Sequence, residues 1–315
     1  MSGMHHLVFS ADRRVLPGLH VAALSILERY EGGGDITLHV FSAELNQSDI
    51  TLLARTLAAA KKRYRLRLEL VDPLRLGAFP LMHRSPAIYF RLLAPVLLDV
   101  DRFLYCDVDT LCQMDLSPLL ALDLAGLPIA LAPEAPIHAS PDLTVAEQLG
   151  TGAHGDYYNS GVMVVDCIRW REESLTQKCL AYLTDRPAKF FDQSALNYVL
   201  HGRIYPLPSC FNCRTNARGN WRAFLPPAWG EGNLLHFVDF PKPWSPYGRW
   251  AHPLGKLWWN CYRRTSHFQE GLPLHAGSRL RTIAAHWAGY RRTLKDKVLF
   301  SALASGWVHR VKGML

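Results

Sequence analysis

No stretch of this chain stays apolar for the roughly 20 residues that a membrane-spanning helix needs. Near the N-terminus only Leu7-Val8-Phe9 stand together before charge returns, so the pattern predicts no secretory signal core. Cysteine is scarce: seven residues, an odd number scattered along 315, which argues for reduced thiols in a cytosol instead of a disulfide framework. Cys210-Phe-Asn-Cys213 has no second half-site, so it reads as packing and not as a zinc ligand set. The chain contains no G-x-x-x-x-G-K-[ST] and no H-E-x-x-H. Gly150-Thr-Gly-Ala-His-Gly155 has the letters of G-x-G-x-x-G but precedes a strand, so it lacks the strand-to-helix turn that cradles phosphate. Internal repeats and low-complexity runs are also missing, which leaves an ordinary folded domain.

What is present fits that conclusion. With 49% hydrophobic and 20% charged residues, the chain has material for one large α/β domain or two smaller ones. The net charge of +8 is uneven: residues 279–315 hold eight Arg/Lys against the single acid Asp296, a net +7 that leaves about +1 for the rest.

The hydrophobic pattern predicts strands at His6–Phe9, Ile36–Phe41, Arg67–Val71, 102–106, Leu127–Ala132 and Val162–Val165, the last following a Tyr157-Tyr-Asn-Ser-Gly161 segment. Helical stretches fall at Leu19–Tyr30, at 47–61 with Ser48 as its cap, and at Pro86–Leu98. This alternation predicts an α/β fold on a mostly parallel sheet, with ligands at the carboxyl ends of the strands. Beyond about residue 205 the Pro-, Trp- and Asn-rich composition suggests a lid and binding loops.

Asp107 and Asp109 follow the apolar run Phe103-Leu-Tyr-Cys106. At i and i+2 of an extended segment both carboxylates point to one side, where their repulsion calls for a cation. Turn chemistry is the alternative use of such aspartates. In Leu234-Leu-His236-Phe-Val-Asp-Phe-Pro-Lys242-Pro-Trp, His236 ends a short buried run, and its imidazole would suit Mn²⁺ better than all-oxygen cations. Lys242 offers a point charge for phosphate; a satisfied histidine and a solvated lysine are the plainer reading. Tyr157-Tyr-Asn-Ser-Gly-Val-Met-Val-Val-Asp166 and Phe191-Asp-Gln-Ser-Ala-Leu-Asn197 set Asn159, Asp192 and Gln193 beside apolar runs, where they can meet sugar hydroxyls or a reacting carbon. Asp192 can equally be the N-cap of the following helix.

Four segments in this order, D-V-D, Y-Y-N-S-G-V-M-V-V-D, F-D-Q-S-A-L-N and H-F-x3-P-K-P-W, make the chain resemble glycosyltransferase family 8 over roughly residues 5–265. These are retaining, metal-dependent enzymes that include bacterial lipopolysaccharide and lipooligosaccharide hexosyltransferases. The resemblance implies a GT-A-like nucleotide-binding domain, assigned to residues 1–270, and the charge pattern marks 271–315 as a basic amphipathic tail. It implies Mn²⁺, or alternatively Mg²⁺, on Asp107, Asp109 and His236. Ser10, Ala11, Asp12, Val108 and Lys242 correspond to nucleotide-binding positions, Asp12 reading the uracil edge and Lys242 meeting the phosphates. Arg91, Glu134, Asn159 and Ser160 correspond to positions around the donor sugar, and Asp192 and Gln193 to the catalytic positions. The implied reaction moves galactose or glucose from a UDP-sugar to a saccharide or glycolipid acceptor. Two positions depart from the pattern: Arg13-Arg14-Val15 follow Asp12 where relatives have polar residues and a tyrosine, and Asp239 replaces a glycine.

A metal-dependent nucleotide-sugar hydrolase and a non-catalytic sugar- or nucleotide-binding protein use the same residues and stay open at this stage. In the tail, Arg291, Arg292, Lys295 and Lys297 alternate with Leu294, Val298, Leu299 and Phe300, a pattern suited to an anionic lipid surface. A helix packed on the catalytic domain is the alternative. The expected location is cytoplasmic and peripheral on the inner membrane. Without a recognisable nucleic-acid module, nucleic acid is not an expected partner.

Overall fold

The computed structural model describes residues 4–76, 85–150, 154–215, 232–238, 241–245, 248–252 and 254–274. Its strands are β1 (His5–Ser10), β2 (Ile36–Ser42), β3 (Tyr64–Leu70), β4 (Arg102–Cys106), β5 (Thr110–Cys112), β6 (Ile129–Pro136), β7 (Asp156–Asp166), β8 (Ile204–Pro206), β9 (Cys213–Thr215) and β10 (Leu234–Phe237). The helices are α1 (Leu16–Arg29), α2 (Gln47–Leu57), α3 (Phe90–Leu97), α4 (Ser117–Leu120), α5 (Leu143–Leu149), α6 (Cys167–Glu172), α7 (Leu175–Asp185), α8 (Asp192–Val199), α9 (Gly248–Ala251), α10 (Gly255–Tyr262) and α11 (Ser266–Gln269).

Seven strands form the main sheet in the order β3-β2-β1-β4-β7-β6-β8. β7 runs antiparallel to both neighbours, and the remaining pairs are parallel. The α/β class with a mostly parallel sheet therefore holds. Alternation along β1 sends Leu7 and Phe9 into one core layer, with residues of α1 and α2, and Val8 into the other, with residues of α3 and α7. Strand order reverses between β1 and β4, the kind of switch point that opens a crevice at the strands' carboxyl ends. β1 stops at Ser10 and β4 at Cys106, so Asp12 and Asp107 emerge into that crevice.

A second, three-stranded sheet, β5-β10-β9, sits beside it. His236 pairs with Thr110 on one side and with Arg214 on the other, which carries the histidine to the Asp107–Asp109 turn.

Several local expectations change. The cap of α2 is Asn46, not Ser48: its side chain accepts from Ser48 N and Asp49 N while Asp49 accepts from Asn46 N, a reciprocal capping box. That helix ends at Leu57 and tightens into a 3₁₀ turn over Ala58–Ala60. The strand expected at Val162–Val165 is longer and takes in the Tyr157–Gly161 segment ahead of it, as β7. β6 pairs Leu131 with Met163 but Ala132 with Asn159, so residues 160–162 bulge out of that ladder. Asp192 lies inside α8, whose N-cap position is Phe191. After residue 205 the described residues form the two strands β9 and β10 and α9–α11 instead of open loops, because Trp244, Trp258, Trp259, Tyr262 and Phe268 stack together and α10 and α11 pack on α1. The tail from residue 275 and Asp239 lie outside the described residues.

Candidate active site

Two groups of side chains meet at the mouth of the crevice. The first comes from the β4–β5 turn and β10. His236 Nε2 stands 3.1 Å from Asp109 Oδ1 and 3.7 Å from Asp107 Oδ2. One ligand atom from each of the three residues lies within 4.8 Å of the others. Lys242 Nζ donates to Asp109 Oδ2 at 2.5 Å and to the Phe237 carbonyl at 2.7 Å. Burial alone would raise the Asp109 carboxyl's pKa, but Lys242 and His236 reverse this and hold it well below the usual carboxylate range. Asp109 Oδ1 is buried and accepts no hydrogen bond. A buried, ionised oxygen without a donor, facing an imidazole nitrogen, fits a divalent cation at this point, and two carboxylates plus one imidazole form a donor set that suits Mn²⁺.

Gly161 makes this packing feasible. A Cβ on it would lie 2.2 Å from His236 Cε1, so no larger residue fits unless the imidazole moves.

The second group centres on Arg91, which α3 buries beside the bulge of β7. Its Nη2 bonds Asp107 Oδ1 at 2.7 Å and its Nε lies 3.2 Å from Asp192 Oδ2, while Nη1 donates to the Ser160 carbonyl at 2.7 Å. Burial opposes the guanidinium charge, and Asp107 and Asp192 more than offset it, so its pKa rises. Tyr105 adds an O–H donor to Asp107 Oδ1 at 2.9 Å. Desolvation raises the Asp192 carboxyl to about 6, against the opposing pull of Arg91. Gln193 Oε1 accepts from Asn159 Nδ2 at 3.0 Å and from Ser160 N at 3.1 Å. Its Nε2 donates to Glu134 Oε2 and to Tyr157 Oη, both at 3.3 Å. Glu134 is itself paired with Arg214. Below them the buried Asp142 accepts from Ser194 at 2.5 Å and Tyr157 at 3.1 Å, which anchors the start of α8.

The structure thus gathers Asp107, Asp109, His236, Lys242, Arg91, Glu134, Asn159, Ser160, Asp192 and Gln193 into contiguous contacts. Ser10 ends β1, with Ala11 and Asp12 following it, all three buried, and Val108 is buried with its carbonyl against Gly18. Asp12 caps the 3₁₀ turn over Arg13–Val15. Its Oδ1 accepts from Arg14 N at 2.8 Å, and its Oδ2 pairs with the Arg14 guanidinium at 2.7 Å. Arg13 bonds Asp49 and Glu44. The two arginines that depart from the family pattern are therefore engaged with carboxylates on the chain's own surface.

Sequence reasoning missed Asn212, Tyr105, Asp142 and Arg214. Asn212 is the most consequential: its Oδ1 meets His236 Nδ1 at 2.9 Å and its Nδ2 donates to Asn159 Oδ1 at 2.8 Å. Nothing in Pro208-Ser-Cys-Phe-Asn-Cys213 separates it from an ordinary turn asparagine.

Comparison with known proteins agrees with this geometry. The family profile described as Glycosyl transferase family 8 matches residues 6–248. General stress protein A of Bacillus subtilis (strain 168) is 26% identical over 202 residues, 56% of this chain and 68% of that protein. A lipopolysaccharide 1,2-glucosyltransferase of Escherichia coli (strain K12) is 27% identical over 260 residues, 78% of this chain and 73% of its own length. The crystal structure of the galactosyltransferase LgtC in complex with donor and acceptor sugar analogues superimposes with a TM-score of 0.65 at 22% identity, covering 82% of this chain and 95% of LgtC. That likeness establishes the GT-A fold.

Proposed function

Since the chain belongs to glycosyl transferase family 8, we propose that it transfers a hexose, galactose or glucose, from a UDP-sugar to a saccharide acceptor, with retention of anomeric configuration. The observation that carries this reading is the convergence of Asp107, Asp109 and His236 around a buried carboxylate oxygen that has no donor, beside Lys242. The acceptor class we favour is a lipopolysaccharide or related surface glycan. The similarity to a lipopolysaccharide glucosyltransferase along most of the chain supports that choice.

A divalent cation on those three residues, Mn²⁺ or Mg²⁺, supplies Lewis acidity toward a leaving diphosphate. Lys242 sets an ammonium group on the same carboxylate, where negative charge develops as the sugar–phosphate bond breaks. Arg91 keeps Asp107 turned toward the cation position and holds Asp192 beside it, so two like charges are fixed about one guanidinium. Asn159, Ser160, Glu134 and Gln193 form the polar wall for the sugar. Ser10, Ala11, Asp12 and Val108 form the floor for the nucleotide.

In this reading Asp192 and Gln193 face the reacting carbon, and neither is suited to covalent attack. Both ends of the Gln193 amide are engaged, the oxygen by two donors. The Asp192 Oδ2 atom is held by Arg91 and Ser160. Front-face attack by the acceptor hydroxyl, its proton taken by the departing diphosphate, satisfies these constraints. A sugar adduct trapped on Asp192 or Gln193 would overturn it.

Residues 279–315 then bring the enzyme to an anionic membrane surface, each cation adding about 1 kcal/mol near the lipid. Among the described residues no helix is long and apolar enough to cross a membrane. Loss of binding to anionic liposomes on deleting 279–315, with turnover of a soluble acceptor kept, is the expected result.

The test of the main reading measures UDP release from UDP-galactose and UDP-glucose, with and without a lipooligosaccharide acceptor, in wild type and Asp109→Ala. Turnover that needs Mn²⁺ and Asp109 and rises with acceptor is expected. Acceptor-independent release of free sugar identifies a hydrolase, and binding without turnover identifies a sugar- or nucleotide-binding protein.

A further inference from the structure

The amide of Asn212 has a definite polarity, and that polarity can be traced from backbone to cation site. It starts at two main-chain N–H groups, which can only donate. Gly161 N donates to Asn159 at 3.0 Å, which fixes the oxygen of Asn159 at that corner, and Ser160 N fixes the oxygen of Gln193 in the same way at 3.1 Å. The Nδ2 of Asn159 then points to Gln193 Oε1, a donor matched to an acceptor. Asn212 approaches the oxygen of Asn159 at 2.8 Å, so the Asn212 group there is its NH₂. Its other end, an oxygen, faces His236 Nδ1 at 2.9 Å. The proton of that contact therefore belongs to Nδ1, which leaves Nε2, 3.1 Å from Asp109 Oδ1 and 3.7 Å from Asp107 Oδ2, as the nitrogen that can give its lone pair to a cation. Nε2 and the buried Asp109 Oδ1 lie 3.1 Å apart with no well-aligned hydrogen bond between them, an arrangement a shared cation would complete.

We propose that Asn212 is a positioning residue: it locks His236 into the tautomer and ring orientation that aim Nε2 at the cation, and it couples that ligand to Asn159 on the sugar wall. This rests on the reading of Asp107, Asp109 and His236 as a cation site. Local structure supports the assignment. Asn212 is 3% exposed, ends the 3₁₀ turn Ser209–Asn212, and enters β9, which pairs with β10 in the register that sets His236 beside Arg214. A buried asparagine with both ends engaged cannot turn over without breaking two hydrogen bonds. Cation ligand and sugar wall thus share one chain of amides, Gln193–Asn159–Asn212–His236.

Two substitutions separate the functions. Asn212→Asp keeps an acceptor for Nδ1–H but puts an oxygen against the oxygen of Asn159, so only the link to the sugar wall is lost. Asn212→Leu removes both. Mn²⁺ affinity, measured by electron paramagnetic resonance with Mn²⁺ alone and with Mn²⁺ plus UDP, is expected to fall about 10–100-fold in Asn212→Leu. In Asn212→Asp it stays near the wild-type value, and the imidazole-nitrogen coupling to Mn²⁺ persists in the pulsed spectrum. In both variants UDP-sugar loses its binding advantage over UDP. Equal Mn²⁺ affinity in all three proteins overturns the positioning role, as does an equal loss in both variants. If Asn212→Leu does not fold, Asn212→Asp decides alone: Mn²⁺ affinity and the nitrogen signal kept with the sugar advantage lost supports the proposal, and any other combination overturns it. If wild type binds no Mn²⁺ under either condition, the cation-site reading fails and the role assigned to Asn212 falls with it.

Discussion

The two halves of the site are built on opposite principles. The sugar wall is saturated: Arg91, Ser160, Asp192, Gln193, Asn159 and Glu134 satisfy one another through hydrogen bonds and ion pairs. The cation end is left incomplete, with a buried carboxylate oxygen and an imidazole nitrogen facing each other without a well-aligned hydrogen bond. A saturated wall keeps its shape without ligand and exchanges internal bonds for ligand bonds. An incomplete cluster becomes favourable only when a positive charge arrives.

The comparison breaks most severely at Arg91, which belongs to both halves. Arg91→Met strands two carboxylates in a buried site and should cost about 3–5 kcal/mol of stability, read by chemical denaturation. Next comes Gly161→Ala, whose Cβ would lie 2.2 Å from His236 Cε1 and 3.0 Å from the Asn159 oxygen; it should displace the histidine and lower metal-dependent turnover about 10²-fold. A turnover unchanged by this substitution would show that the imbalance between the halves does not matter for catalysis. Lys242→Met removes two charged hydrogen bonds, to Asp109 and to the Phe237 carbonyl, each worth about 1.5–3 kcal/mol, from the cation end, and UDP affinity should weaken about tenfold. The smallest effect belongs to Asp192 on the saturated side. Its carboxyl is raised from 3.8 to about 6, so between those values the native state holds a proton that the unfolded chain has released. Stability should therefore fall as pH rises through that window, and Asp192→Asn should flatten the slope in a pH series of denaturation curves.

Much of the frame was legible in residue patterns. β1, β2 and β4 announce themselves as apolar runs, and Asp107 and Asp109 stand where such a run ends. β7 was half legible: Val162–Val165 reads as a strand, but the Tyr157–Gly161 stretch ahead of it shows no apolar alternation, because residues 160–162 bulge out of the ladder and the Asn159 and Ser160 side chains bond within the site. Asn46 lost the cap of α2 to Ser48 in the sequence because both residue types cap helices and only geometry chooses between them. Asn212 left no trace, since its partners Asn159 and His236 lie 53 and 24 residues away and a single buried amide makes no periodic pattern. The packed aromatic helices after residue 248 were hidden by Pro and Trp content that suggests loops, although it is the tryptophans that bury them.

The small sheet has a consequence for when the site can come into being. Asp109 and Lys242 are separated by 133 residues, and the strand that carries His236 pairs with one that begins at Thr110. Closing so long a loop gives no contact energy until its ends meet, and such non-local pairings form slowly. A chain emerging N-terminus first can assemble β1 through β4 and show both aspartates while the histidine and lysine are still unmade. Cation capture should thus be among the last acts of folding, and the rate at which Mn²⁺ binding returns after dilution from denaturant should lag behind the recovery of helical signal.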